Sequence, residues 1–130
     1  MTIQDMVREM CSAFGQDVHS ELHKPDNAVR GLRLRLLSEE FRKYMEAEKA
    51  TNPVDISDAL GDMLVVIYGT AAAYGIDLDN VVREIHASNM SKVQEDGSVL
   101  RDSHGKVMKP EGYRPPQLAE ILGDLDVWAA

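Results

Sequence analysis

The stretch NPVDISDALGDMLVVIYGTAAAYG, residues 52–75, decides the fold, because it has helix signals at both ends and an apolar body between them. Asn52 is a good helix cap, Pro53 suits a first helical turn, and Asp55 lies at the positive end of the helix dipole. Gly75 favours the left-handed conformation that ends helices. The body is apolar nearly all round, which predicts a central helix or a dimer interface.

Helical spacing extends over most of the chain on either side of this stretch. Thr2 and Asp5 have the spacing of a capping box, and Pro25 followed by Asp26 can open a long second helix. Asp77 can cap a fourth helix after Gly75 has ended the third. The predicted helices span residues 2–14, 25–48, 52–74, 77–90 and 117–125.

The helical period fails between the fourth and the last predicted helix. Turn signals at Gly97 and Gly105, each preceded by a polar residue, indicate short strands or extended segments, and a proline-rich segment follows. We therefore predict an all-α fold, a bundle of four to five helices with a short irregular or hairpin segment near the C-terminus. A homodimer or a dimer of dimers is expected, since one partner helix cannot cover the apolar third helix.

The length and composition suit one globular domain with a modest core. The chain has 130 residues, of which 44% are hydrophobic and 28% are charged. Residues 1–130 are expected to form a single domain, with a helical core at about residues 2–91 and a C-terminal arm at about residues 92–130.

The charge balance and the single cysteine limit the partners and the compartment. The 22 acidic and 14 basic residues give a net charge of -8, which argues against binding to a nucleic-acid backbone. Cys11 fits a reducing compartment, and the N-terminal residues lack the pattern of a secretory signal. The uncharged apolar run Met63–Ile76 is too short to span a bilayer. We therefore expect a cytoplasmic protein without a nucleic-acid or membrane partner.

The excess negative charge is concentrated where the second and third predicted helices meet. Helical phasing divides it into two patches, which are Glu39, Glu40 and Glu46 beside Lys43 on the second helix, and Asp55, Asp58 and Asp62 on the third. Like charges at this spacing destabilise a helix, and a bound hard cation would compensate them. Carboxylate ligands suit Mg²⁺ or Mn²⁺, which commonly bridge to substrate phosphates. The alternative is a solvated acidic surface paired with Arg42 and Lys49, which fits the glutamates better than it fits Asp62.

Four longer stretches carry a family resemblance. They are MVREMCSAFG (6–15), LRLRLLSEE (32–40), DALGDMLVVIYGTAAAYGIDLDNVVREIHASNMSK (58–92) and GKVMKPEGYRPP (105–116). In these stretches, which cover most of the chain, the sequence resembles the MazG-like all-α nucleoside triphosphate pyrophosphohydrolases. The most similar branch is the one that resembles phosphoribosyl-ATP pyrophosphohydrolase.

The acidic pattern of this family is EExxE on one helix and ExxD on the next. Glu39 and Glu40 match its first two acids, and Asp62 matches its last. Two positions depart from the pattern, because the third glutamate falls on Lys43 and the glutamate of ExxD falls on Ala59.

Neighbouring acids can replace the two missing ones. Asp58 lies one turn before Asp62, and Glu46 lies one turn after Lys43. The expected metal ligands are therefore Glu39, Glu40, Glu46, Asp58 and Asp62. Lys43 can instead neutralise the site or contact a substrate phosphate.

The resemblance implies hydrolysis of a nucleoside triphosphate, NTP or dNTP, to the monophosphate and pyrophosphate. Mg²⁺ or Mn²⁺ would neutralise the triphosphate and lower the pKa of a water that attacks the α-phosphorus. Glu39 or Glu40 would orient or deprotonate that water. Such an enzyme would serve nucleotide-pool house-cleaning.

Two segments, residues 88–92 and 109–113, resemble the family's distal segments. Asn89 and Lys92 are expected to contact nucleotide or phosphate, with Lys109 reaching over the site. The structural alternatives are a helix C-cap with a favourable cation for Asn89 and Lys92, and a solvated loop lysine for Lys109.

Two other functions stay open beside the enzyme. A homologue that has lost its chemistry through Lys43 and Ala59 would act as a nucleotide-binding regulator. A helical interaction module with a solvated acidic face would bind neither metal nor nucleotide. Metal dependence separates these possibilities from the enzyme.

Overall fold

The computed structural model describes residues 1–129, and it confirms the all-α fold. No β-strand forms within residues 1–129. The helices are α1 (Ile3–Ala13), α2 (Asn27–Ala50), α3 (Pro53–Tyr74), α4 (Leu78–Met90), α5 (Ala119–Leu122) and a short 3-10 helix (Leu125–Trp128).

The helix ends follow from the capping residues that the sequence supplies. The hydroxyl of Thr2 accepts a hydrogen bond from the Asp5 N–H at 3.0 Å, and the Asp5 carboxylate accepts from the Thr2 N–H at 3.1 Å. Asp26 caps α2, and Asn52 caps α3 by accepting from two backbone N–H groups. Gly75 ends α3 in the left-handed conformation, with φ of 67°. Each of these signals was read correctly from the sequence.

The connection between α2 and α3 is short, so the two helices run antiparallel. Thr51, at φ of 52°, closes α2, and Asn52 already caps α3. A left-handed backbone is uncommon for a β-branched residue. α3 also packs against α1, which makes α3 the central helix of the three.

Small side chains form the centre of this packing. The buried apolar residues are Val7, Cys11, Ala47, Ala59, Ala71, Ala72 and Ala73. The large side chains of α3 face outward: Leu60, Leu64 and Ile67 are 49%, 40% and 40% exposed. The apolar row Leu34, Leu37, Phe41 and Met45 on α2 is exposed as well. The sequence therefore located these apolar rows, but the single chain leaves them open to solvent.

Contacts divide the chain into two compact units. The helical unit comprises residues 1–77 and 124–129, and the C-terminal unit comprises residues 78–123. In the C-terminal unit, isolated antiparallel bridges join Val93 to Val99 and Arg101 to Val107 around two glycine turns. The irregular or hairpin segment expected near the C-terminus takes this form. The expectation of one domain with a core at residues 2–91 stays a prediction.

Among the helices of residues 1–129, α3 alone is long enough and apolar enough to cross a membrane. Of its most apolar 18-residue window, 28% is buried within the protein. Core helices of water-soluble proteins can have the same length and the same apolar composition, so these two properties do not by themselves indicate a membrane span.

Candidate active site

The side of α2 that faces α3 carries a row of three residues, Arg33, Glu40 and Ala47, which we call the seam. Their spacing of seven residues places them on one side of the helix. Arg33 bonds to α3, the charge of Glu40 acts on Asp62, and Ala47 lies buried at one cavity with Ala59. The packing of α2 on α3 therefore brings the two predicted acidic patches together.

Glu40 is a half-buried carboxylate with one unsatisfied oxygen. Its side chain is 15% exposed, and its Oε1 accepts a hydrogen bond from Lys43 Nζ at 3.3 Å. Its Oε2 is buried and has no hydrogen-bond partner among residues 1–129. A buried acceptor without a partner destabilises a fold by about 1–3 kcal/mol, so a cation or a hydrogen-bond donor bound at this oxygen would stabilise the protein.

Asp62 lies in an unfavourable environment for its ionised form. Partial burial raises the pKa of this carboxyl, and the negative charges of Asp58 and Glu40 raise it further. Lys43 acts in the opposite direction as a smaller effect. Asp62 was expected to need a specific partner, and it has an excess of negative neighbours.

Lys43 is the cation inside this acidic cluster. The hydrogen bond and the charge of Glu40 raise the pKa of the Lys43 ammonium, and Asp62 and Glu39 add to the effect. The Lys43 side chain is 64% exposed, so the pair with Glu40 is solvent-screened. Where the family pattern has a third glutamate, this chain therefore has an exposed positive charge paired with the second.

The next turn of the α2–α3 packing opens into a cavity of about 370 Å³. Glu46 and Asp58, the two proposed replacement acids, both line it together with Lys43. Asp55 lines it too, although it was not among the expected site residues. Its spacing of three residues from Asp58 was the available signal, but its position in the first turn of α3 already explained it as a helix-dipole residue.

The volume of this cavity lies within the 300–1,000 Å³ that small-molecule sites usually have. Glu39 lies apart from the cavity as an exposed residue of α2, and its charge still reaches Lys43. Of the expected metal ligands, Glu40 and Asp58 both act on Asp62 by their negative charge, whereas Glu46 shares only the cavity wall with Asp58.

Two carboxylates of this site, those of Glu40 and Asp62, fit a hard divalent cation. No three acidic, histidine or cysteine side chains of residues 1–129 converge in an arrangement that could hold a metal ion. Mg²⁺, however, is commonly bound by one or two carboxylates, with water and substrate phosphate completing its coordination. The unpartnered Oε2 of Glu40 and the nearby Asp62 are oxygen donors of that class on two facing helices.

The expected nucleotide-contacting residues lie in the C-terminal unit. Lys92 Nζ donates to the Asn89 side chain at 3.3 Å, and it lies 6.0 Å from the centre of the Tyr113 ring. Lys109 Nζ lies 5.1 Å from the same ring centre. Tyr113 thus carries two lysine cations at cation–π distance, a concentration of positive charge suited to phosphate.

Comparisons with known proteins identify the family to which the chain belongs. Residues 7–89, more than half of the chain, match the phosphoribosyl-ATP pyrophosphohydrolase family. An uncharacterized protein of Acanthamoeba polyphaga mimivirus is 43% identical over 49 residues, a stretch that covers 38% of this chain and 20% of that protein. The chain therefore spans about a fifth of the length of this curated relative. By the family match, the chain belongs to the phosphoribosyl-ATP pyrophosphohydrolase family, a branch of the MazG-like all-α nucleotide pyrophosphohydrolases.

Proposed function

We propose that this protein hydrolyses a nucleoside triphosphate, NTP or dNTP, to the monophosphate and pyrophosphate. The observation that carries the proposal is the buried, unpartnered Oε2 of Glu40, opposite an Asp62 whose ionised form is destabilised. Such an excess of carboxylate charge between two helices suits a cation-bridged triphosphate. Family membership supports hydrolysis of a nucleotide phosphoanhydride, and the triphosphate substrate is our inference.

Mg²⁺, or Mn²⁺ in its place, would neutralise the triphosphate and lower the pKa of the attacking water. Glu40 and Asp62 would hold the cation, and water and substrate phosphate would complete its coordination. Asp58 and Glu46, in the wall of the adjacent cavity, would attract it by their negative charge. Glu39 is exposed and makes no hydrogen bond within residues 1–129, so its carboxylate is free to accept the proton of the water. The water oxygen bonds to the α-phosphorus as the bond between that phosphorus and the bridging oxygen breaks, and pyrophosphate leaves.

Cationic side chains would orient the substrate. Lys43, already within the acidic cluster, would contact a phosphate oxygen once the cation takes its place beside Glu40. Asn89, Lys92 and Lys109 would contact the nucleotide or its phosphates, as the family resemblance suggests. The two lysines at Tyr113 support this assignment because they concentrate positive charge in one place.

A nucleotide-binding regulator without catalysis is the second candidate. Two observations favour it: Lys43 occupies an oxygen of Glu40, and buried Ala59 cannot supply the carboxylate of the family pattern. Such a protein would bind nucleotide without releasing pyrophosphate. A direct assay for pyrophosphate therefore separates the two candidates.

We further propose that the chain associates with copies of itself, as a dimer or a dimer of dimers. The exposed apolar rows on α2 and α3 support this, because large contiguous apolar surfaces usually mark interfaces. Cys11 is free and buried, which suits the reducing cytoplasm proposed as the compartment.

The test of the proposed function is product analysis in ¹⁸O-labelled water. Each NTP and dNTP is incubated with the protein and Mg²⁺ or Mn²⁺. The products are separated, and mass spectrometry determines which of them contains ¹⁸O. Attack at the α-phosphorus places the label in the nucleoside monophosphate and leaves pyrophosphate unlabelled. Release of inorganic phosphate, label in the pyrophosphate, or no metal-dependent product from any substrate would contradict the proposal.

A further inference from the structure

Arg33 is a buried cation without a counter-charge. The residue is 7% exposed, and no carboxylate of residues 1–129 forms an ion pair with it. Burial lowers the pKa of its guanidinium, with the Cys11 thiol as the opposing neighbour. Buried arginines usually pair with an acid, because an uncompensated buried charge is strongly destabilising.

The fold nevertheless makes room for this guanidinium. Its Nε donates to the Thr70 hydroxyl at 3.1 Å, and its Nη2 donates to the Val66 carbonyl oxygen at 3.0 Å. A side chain at Gly69 would overlap Nη2, so the guanidinium would have to shift from its present position to accommodate one. The remaining nitrogen, Nη1, makes no hydrogen bond within residues 1–129. These contacts hold the guanidinium in place but leave its charge uncompensated.

Arg33 also lines a cavity of about 230 Å³ in the helical unit. Gln16 and Asp17, in the loop after α1, form part of its rim, and Leu32 and Ala73 form part of its apolar wall. The volume is below the 300–1,000 Å³ usual for drug-sized ligands, so the cavity suits a small ligand. A single buried cation in a small apolar cavity selects for negative charge.

We infer that this cavity binds a small oxyanion, a phosphate or a carboxylate, through a charge-assisted hydrogen bond from Arg33 Nη1. A water molecule could satisfy the N–H groups of Nη1, but it would leave the buried charge without a counter-ion. Gln16, whose side chain makes no hydrogen bond within residues 1–129, can add a neutral donor at the rim. The carboxylate of Asp17 at the same rim weakens the site without closing it.

This site is distinct from the acidic one. Arg33 precedes Glu40 by seven residues of α2, a rise of about 10 Å along the helix axis. The inference does not depend on the proposed function, because an anion at Arg33 needs neither a divalent cation nor a nucleotide.

The test is calorimetric titration of the full chain with inorganic phosphate and, separately, with acetate, in metal-free Tris chloride buffer. We expect saturable binding of at least one of the two anions at one site per chain. Phosphate binding alone would identify a phosphate site, and acetate binding alone would identify a carboxylate site. Absence of saturable binding of both anions would overturn the inference.

Two surface variants test the location, since replacing Arg33 itself risks the fold. Asp17→Asn removes the negative charge at the rim and should tighten binding roughly three- to fivefold, the size expected for a solvent-screened charge pair. Gln16→Glu adds a negative charge there and should weaken binding at least as much. Glu9→Gln, an equal charge change on the exposed surface of α1, should leave the affinity unchanged. The two variants change the charge beside the cavity in opposite directions. Equal anion affinities for Asp17→Asn and Gln16→Glu would therefore show that the anion binds elsewhere and would overturn the inference.

Discussion

At the scale of single residues, the acidic site is held in a state that favours ligand binding over stability. Glu40 keeps a buried oxygen without a partner, and partial burial together with the negative charges of Asp58 and Glu40 raises the pKa of Asp62. Both features cost folding free energy in the metal-free protein, and both are relieved by a cation. Replacing the carboxylate of Asp62 by an amide should therefore raise the stability of the metal-free protein and lower its activity.

Asp62→Asn should stabilise the metal-free protein at pH 7. Because the folded state raises the pKa of Asp62, the folded protein holds this proton more tightly than the unfolded chain does. Ionisation of Asp62 therefore destabilises the fold as pH rises through the window between the ordinary and the raised pKa, and asparagine avoids that loss. We expect a gain on the order of 0.5 kcal/mol, or roughly 2–3 °C in Tm.

Thermal unfolding of both proteins across acidic and neutral pH checks this. The gain should vanish at a pH low enough to protonate Asp62 in the folded and the unfolded wild type. A lower Tm for the variant at pH 7 would show that the carboxylate is a stabilising partner and would contradict the environment described for it.

Lys43→Glu should strengthen metal binding and weaken the metal-free fold. It replaces the cation that pairs with Glu40 by a further carboxylate, which restores the glutamate of the family pattern. We expect Mn²⁺ affinity to rise on the order of tenfold, because affinity follows the number of charged ligands. Lys49→Glu, the same charge change in the last turn of α2, is the control. An equal rise in both variants would place Lys43 outside the metal site.

At the scale of helices, the capping residues predicted where α1, α2 and α3 begin, but side-chain periodicity alone did not identify the row of α2 that contacts α3. The caps at Thr2, Asp26 and Asn52 are local, so the sequence alone locates them. The seam is different, because it contains Arg33 and Glu40 where an amphipathic pattern would place apolar residues. A buried arginine becomes readable only when Gly69 and Thr70 are known to lie opposite it.

The two glycines in the body of α3 should respond oppositely to alanine. Gly69→Ala places a methyl group against the Arg33 guanidinium and strains its two hydrogen bonds, which should destabilise the protein by about 1 kcal/mol after the helix propensity of alanine is counted. Gly61→Ala meets open space on the same helix and should stabilise it by roughly 0.5–1 kcal/mol. Urea unfolding measures both changes. A neutral Gly69→Ala variant would mean that Arg33 does not fix the packing of α2 on α3.

At the scale of the whole molecule, the main open feature is the apolar surface that one chain leaves exposed to solvent. Leu60, Leu64 and Ile67 recur at helical spacing on α3 and are at least 40% exposed in the single chain. The core of one chain consists mostly of alanines and other small residues, so much of the apolar surface is available to a second copy.

Leu64→Glu should convert the proposed dimer into monomers, because a second copy would have to bury the new charge. Sedimentation velocity across a concentration series measures the change. Val54→Glu, at a residue that is 74% exposed in the first turn of α3, should leave association unchanged. A wild-type protein that is monomeric at every concentration would contradict the proposed association.

Much of the candidate site was readable from the sequence, because the family pattern and the phasing both pointed to Glu40 and Asp62. The position of Asp55 at the cavity could not be predicted in this way. An acid in the first turn of a helix is already explained by its interaction with the helix dipole, and Asp55 also lines the cavity. The compact unit of residues 78–123 begins at α4, and helix periodicity alone gives no information about which helices contact one another.

The most direct measurement is the rate of pyrophosphate release with Mg²⁺ for three proteins: wild type, Asp62→Asn, and Glu9→Gln, which changes a surface carboxylate of α1. Removal of a cation ligand should lower the rate of Asp62→Asn at least on the order of a hundredfold, while its helical circular dichroism stays unchanged. Glu9→Gln should match the wild type. Equal pyrophosphate release by Asp62→Asn and wild type would show that the reaction takes place elsewhere.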